Sequence, residues 1–153
     1  MNLKIHRGTK EIGGSCVEVW TKKTRILLDF GMPLVDKDGS EFNFNKYRNL
    51  PVDELVRLGI LPAIYGIYKN HYELINGVLI SHPHQDHYGF VNYLHDDLTY
   101  YLGEASFRII NVSNLFIGKD QQFKNHFFFS KNKKFNIGDI TITPYWMDHS
   151  AFD

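Results

Sequence analysis

A short apolar run, Gly77-Val78-Leu79-Ile80, leads without a break into Ser81-His82-Pro83-His84-Gln85-Asp86-His87. An uninterrupted apolar run of this kind marks a strand buried on both faces, and such a strand needs a packed layer on either side. Residues two apart in extended backbone share a side, so His82 and His84 can present two imidazoles to one ion. Asp86 and His87 come one step later, where the chain enters a helix, and should point to a neighbouring position. Imidazole with carboxylate is a borderline donor set, suited to zinc and tolerable for manganese or iron. The plain alternative is a polar loop with incidental histidines. Three of the chain's eight histidines within six residues, joined by an acid and set behind a buried strand, argue against it.

The segments before that run read as short strands. Leu3 to His6 is one, and Gly8, Gly13 and Gly14 punctuate the turn that follows. Cys16 to Trp20 alternates, and Arg25 to Phe30 reads as a buried strand stopping at Gly31, with Thr21-Lys22-Lys23-Thr24 as a hairpin tip. Gly13-Gly14 is a tight turn and not a phosphate cradle, because no helix start follows. Met32 to Asn49 is polar loop, Pro51 to Leu58 a short helix closed by Gly59, and Leu61 to Tyr72 irregular. After the histidines, Tyr88 to Leu94 is expected to be helix. Thr99 to Leu102 is expected to be strand, Ala105 to Phe116 helix, and Phe135 to Ile142 a hairpin turning at Gly138-Asp139. Strands first, then strand–helix alternation, indicate a layered α/β arrangement.

At 153 residues with 43% hydrophobic and 15% aromatic content, the chain can bury a core and is not disordered. Its 17 basic and 17 acidic residues balance, so no global field advertises nucleic acid or an acidic membrane. The single cysteine, Cys16, excludes an internal disulfide framework and a cysteine-rich zinc knuckle. No apolar run approaches the roughly 20 residues that span a bilayer, and Met1 to Arg7 lacks a secretory core, so the expected location is cytoplasmic.

The pattern Ser-His-x-His-x-Asp-His, at Ser81 to His87, resembles the metal signature of the metallo-β-lactamase superfamily. Gly8 to Cys16, Leu27-Leu28-Asp29-Phe30-Gly31 and Asp148-His149-Ser150-Ala151-Phe152-Asp153 resemble the branch containing ribonuclease J and its β-CASP relatives. The resemblance runs in order along nearly the whole chain, more loosely between Met32 and Tyr72. It implies an αββα sandwich, of which residues 1–153 form the first half: a mainly antiparallel sheet with helices on one face. It also implies that His82, His84 and His149 hold a first metal and that Asp86 and His87 hold a second. Asp86 would help orient the nucleophilic water, and Asp29 would orient a ligand imidazole. The implied cofactor is zinc, one or two ions, with manganese possible.

The family's bridging Asp, its last metal-binding His and the β-CASP insertion have no counterpart in residues 1–153. The chain alone is therefore expected to be inactive, and to self-associate or to need a complementary C-terminal half. The expected activity of the intact protein is hydrolysis of an RNA or DNA phosphodiester by a metal-bound hydroxide. Two alternatives stand beside it: hydrolysis of a small ester, thioester or lactam by the same site, and a non-catalytic half-domain that binds metal or a partner chain. His6, His71, His95 and His126 lack ligand-like neighbours and read as surface or satisfied core residues. Cys16 reads as packing. His126 to Phe129 reads as a hydrophobic patch or core wedge sooner than a base-stacking platform, and Lys131, Lys133 and Lys134 as a solvated turn sooner than a phosphate contact.

Overall fold

Alternating and β-branched stretches near the N-terminus form three strands, β1 (Asn2–Arg7), β2 (Cys16–Trp20) and β3 (Arg25–Leu28). The one-turn-and-a-half helix α1 (Val52–Arg57) follows, its first turn carrying Asp53 and Glu54 and its last Arg57, as the helix dipole favours. Then come β4 (Gly77–Leu79), α2 (Gln85–Tyr88), β5 (Thr99–Gly103), α3 (Glu104–Phe116), β6 (Asn125–Phe129), β7 (Phe135–Ile137) and β8 (Ile140–Ile142). These come from a computed structural model that describes residues 1–9, 11–36, 38–116 and 123–145.

The described strands form a six-stranded sheet in the order β1-β2-β3-β4-β5-β6 and a separate β7-β8 hairpin. Pairing is antiparallel from β1 to β3 and parallel from β3 to β6, so the mainly antiparallel sheet expected from sequence is corrected to a mixed one. Connection length is the reason. The Thr21–Thr24 tip, closed by a 2.8 Å backbone hydrogen bond, returns the chain at once. The links from β3 to β4, β4 to β5 and β5 to β6 each contain a helix, and such crossovers deliver parallel strands. The result is a mixed α/β fold with a sheet core and few helices.

The register sorts side chains onto two faces. Leu27, Val78, Tyr100 and Leu102 face Leu55, Tyr88 and Ile110 of the helices in the main core. On the other face Val19, Ile26 and Leu79 pack with Ile137 and Ile140 of the hairpin. The hairpin is pinned to the β2–β3 tip, where Thr24 Oγ1 accepts the Asp139 N–H at 3.0 Å and the Thr21 hydroxyl donates to Asp139 at 2.8 Å.

Three further boundaries differ from expectation. The strand expected to reach Phe30 ends at Leu28, because Asp29 adopts a left-handed backbone with φ 59°. The helix expected over Tyr88 to Leu94 lies earlier, at α2, and is followed only by a 3-10 turn at Val91–Tyr93. His126 to Phe129, whose sequence reads as a patch, lies in strand β6, at the edge of the described sheet and paired in parallel with β5.

Candidate metal centre

The histidine-bearing segment leaves the C-terminal end of β4, makes an extended step through His84 (φ −98°, ψ 145°) and winds into the single turn α2. A helix this short has little stability of its own. It is held from outside by backbone hydrogen bonds, Ser15 N–H to Asp86 O (2.9 Å), Phe30 N–H to His87 O (2.8 Å) and Met32 N–H to Gln85 O (3.0 Å). Two glycines allow that approach. A Cβ on Gly31 would lie 1.6 Å from the Asp86 carbonyl oxygen, and one on Gly13 would lie 2.9 Å from the Asp86 Cβ. Gly13, at φ 75°, also makes the turn that swings the chain in. Gly13 and Ser15 on one side and Phe30, Gly31 and Met32 on the other therefore brace the Asp86–His87 turn.

Side chains converge within this frame. His82 Nε2 and His84 Nδ1 are 3.2 Å apart. The His82 and His87 rings lie 3.8 Å apart, centroid to centroid. Ser81 links them, its Oγ 3.0 Å from His82 Nδ1 and 3.2 Å from His87 Nδ1. Asp29, 7% exposed, accepts the Ser81 N–H at 2.7 Å and its hydroxyl at 2.8 Å, and lies 2.7 Å from His87 Nδ1. Asp86 Oδ2 is 3.5 Å from His87 Nε2. Burial works against a charged His87, but the Asp29 hydrogen bond and charge, with the Asp86 charge, outweigh it and raise its pKa.

Asp29, His82, His84, Asp86 and His87 are thus gathered in one place. His149, with Asp148 and Ser150, lies outside the described residues. Among the described residues no three His, Cys, Asp or Glu side chains stand ready to enclose a cation. The linking role of Ser81 was not foreseen; its only signal is a serine directly between a buried strand and the first histidine. The remaining described histidines are engaged elsewhere. His6 pairs with Glu18 at 2.7 Å, His71 Nδ1 accepts the Gly66 N–H at 2.8 Å, His95 Nδ1 accepts the Asp97 N–H at 3.2 Å, and His126 donates to the Phe123 carbonyl at 2.9 Å. Cys16 is buried, and burial, reinforced by the Asp29 and Glu18 charges against the opposing pull of Arg7, pushes its thiol pKa up to about 12. Such a thiol is inert at neutral pH.

No family model matches the chain. It is 33% identical over 89 residues to an RNase J-like protein of Methanocaldococcus jannaschii, a stretch covering 58% of this chain and 14% of that protein. It is 24% identical over 148 residues to ribonuclease J of Helicobacter pylori, covering 95% of this chain and 19% of the relative. The chain is similar to RNase J-like proteins. Transcription termination factor FttA of Methanothermobacter thermautotrophicus is 31% identical over 88 residues, covering 58% of this chain and 11% of the factor. The chain thus spans less than a fifth of the length of these curated relatives. A protein of unknown function from Enterococcus faecalis shares the fold, with a TM-score of 0.67 at 23% identity over 91% of this chain and 36% of its own.

Proposed function

We propose that residues 1–153 are the N-terminal part of an RNase J-like, metallo-β-lactamase-type phosphodiesterase that hydrolyses RNA or DNA in the cytoplasm. The observation that carries this reading is the pairing of His82 and His84 at 3.2 Å in the same loop whose neighbouring imidazole, His87, is tied to Asp29. Two nitrogens each about 2.0–2.1 Å from a tetrahedral zinc stand roughly 3.3 Å apart, so the pair has the spacing a shared zinc requires. An imidazole whose second nitrogen meets a carboxylate is the usual arrangement at protein metal sites. The donor set fits zinc, with manganese as the alternative.

His82, His84 and His149 would hold the first ion, and Asp86 and His87 the second. Asp29 and Ser81 fix ring orientation. Held by these residues, a divalent cation would supply positive charge to a phosphoryl oxygen and could bring the pKa of bound water to about 7. The similarity to RNase J-like proteins favours a polynucleotide over a small ester, thioester or lactam. Because those relatives are several times longer than the stretch matched, further residues outside it are proposed to complete the site and the substrate clamp.

The test uses end-labelled single-stranded RNA with zinc or manganese. The 153-residue chain and a form extended through the downstream reading frame are assayed in parallel. The extended form is expected to cleave, its Asp86→Ala variant and the short chain to be inactive. Cleavage by the short chain that Asp86→Ala abolishes would remove the need for further residues. An extended form that leaves RNA and DNA intact but hydrolyses a thioester or lactam would overturn the nuclease assignment.

A further inference from the structure

The described sheet has two edges, and they are built differently. An edge strand offers an unpaired row of N–H and C=O groups, which proteins blunt with lysine, proline, a bulge or a covering segment. Strand β1 carries two of these devices, an exposed Lys4 and an irregular register between Ile5 and Arg7. Strand β6 carries none of them. Asn125 to Phe129 has no charge and no proline, and its register on β5 runs unbroken from Thr99 opposite Asn125 to Gly103 opposite Phe129. Among the described residues no strand lies on its outer side. Alternate residues of such a strand direct their backbone groups away from the sheet, so β6 presents main-chain donors and acceptors there.

Side chains next to this edge are already fixed. On the helix-covered face, His126 donates its ring N–H to the Phe123 carbonyl at 2.9 Å and stacks on Phe107 of α3 (4.5 Å, 30°). Phe128, 36% exposed, lies 4.8 Å from the His126 ring and 5.2 Å from Phe107. A strand added to the edge would lay every second side chain against this aromatic shelf.

Charge then selects the occupant. Residues 123–138 contain Lys124, Lys131, Lys133 and Lys134 and no acid, so β6 is bracketed by bases. The acids of neighbouring elements are engaged: Asp96 with Lys69 at 3.3 Å, Glu104 with Arg108 at 2.6 Å, and Asp29 with Ser81 and His87. Asp97 stands 3.8 Å from His95. A second copy added in antiparallel register would bring Lys124 beside the other copy's Ser130–Lys131 turn at both ends, and like charges oppose that pairing.

We propose that β6 is a docking edge for a partner protein, which adds an extended segment that is β-branched in its middle and acidic at its ends. In this mode the two backbones supply the hydrogen bonds, the aromatic shelf seats alternate side chains, and the lysines select the acidic flanks. The proposal does not rest on the nuclease reading, and a chain without catalytic activity would keep the edge.

The probe is a fluorescein-labelled peptide, Asp-Glu-Thr-Val-Thr-Val-Thr-Glu-Asp, titrated by anisotropy with the 153-residue chain. Amide hydrogen exchange maps the bound state. Binding is expected, with added protection at residues 125–129. Exchanging the peptide's acids for lysine should weaken binding about tenfold, as a few exposed ion pairs allow. A Lys124→Glu/Lys133→Glu/Lys134→Glu variant should do the same, and since these side chains are exposed its circular dichroism should be unchanged. N-methylation of alternate peptide residues removes donors from one side of the strand at a time, so one of the two alternate sets should abolish binding and the other spare it. Failure of the acidic peptide to bind would overturn the proposal, as would binding that leaves residues 125–129 unprotected or that tolerates both methylated sets. Protection that grows with protein concentration in the absence of peptide would give the edge to a second copy. Binding by the short chain but not by an extended form would give it to a later segment of the same protein. Either result overturns the partner.

Discussion

Asp29 sits in a backbone conformation that few side chains tolerate, at a cost of about 1–3 kcal/mol. It is held there by its own N–H, which bonds the Leu79 carbonyl at 2.8 Å, and by the contacts of its carboxylate to Ser81 and His87. The left-handed turn stops β3 and turns the carboxylate onto the imidazole. Asparagine tolerates this conformation and keeps one acceptor oxygen, so Asp29→Asn should fold normally yet lose the charge that favours the correct tautomer of His87. Zinc affinity, measured by competition with a chromophoric chelator, is expected to fall about 10- to 100-fold. Unchanged affinity would remove Asp29 from the site and leave it a turn residue. The proposed donors from His82 to His87 stand out in the sequence because they are nearly contiguous. Ser81 is not, because nothing distinguishes one serine's hydroxyl from another until both imidazoles are seen within 3.2 Å of it.

Among the elements, α2 depends most on its neighbours. Gly31 carries no unusual φ, so its requirement comes entirely from the Asp86 carbonyl pressing where a Cβ would be. Gly31→Ala is expected to cost about 1–3 kcal/mol or more, as at overpacked core sites, and to appear as a lower urea midpoint with an unchanged m-value. A midpoint within error of the wild type would mean that α2 shifts freely. A helix of one turn has no periodicity to read, which is why its place was missed. Strand β6 escaped for a different reason: Phe127, Phe128 and Phe129 put aromatic rings on both sides of an edge strand, so no alternation betrays it. Interior β4 was plain, since a strand buried on both faces is apolar throughout. Strand direction was not, because it depends on crossovers such as the one through Met32 to Tyr72, where local pattern is weakest.

At the scale of the whole molecule, the described residues cover one face of the sheet with helices and the centre of the other with the β7-β8 hairpin. By register, Leu3 and Ile5 of β1 lie on the same side as Val17 and Val19, and they are 61% and 48% exposed. Phe127, at the other edge of that face, is 47% exposed. The β7-β8 hairpin covers Val19, Ile26 and Leu79 between them. An apolar margin of this kind favours association. Size-exclusion chromatography with light scattering is expected to show association that grows with concentration and recedes in a Leu3→Lys/Ile5→Lys variant. A monomer at tens of micromolar would show that the margins are adequately solvated.

The compactness of the histidine loop in sequence has a thermodynamic consequence. The proposed donors His82, His84, Asp86 and His87 fall within six consecutive residues, so the denatured chain carries them in the same order and nearly the same reach. An ion that binds only the native state would add about 2.7 kcal/mol of stability at a hundredfold excess over its Kd, and any affinity for the denatured chain subtracts from that. What the denatured chain does not bring near them is Asp29, more than fifty residues away along the backbone and beside His87 in the fold, and His149, the remaining proposed donor, more than sixty residues further on. By mass action, if the proposed site is right, part of the margin by which an ion prefers the folded protein would come from a carboxylate that is not among its donors.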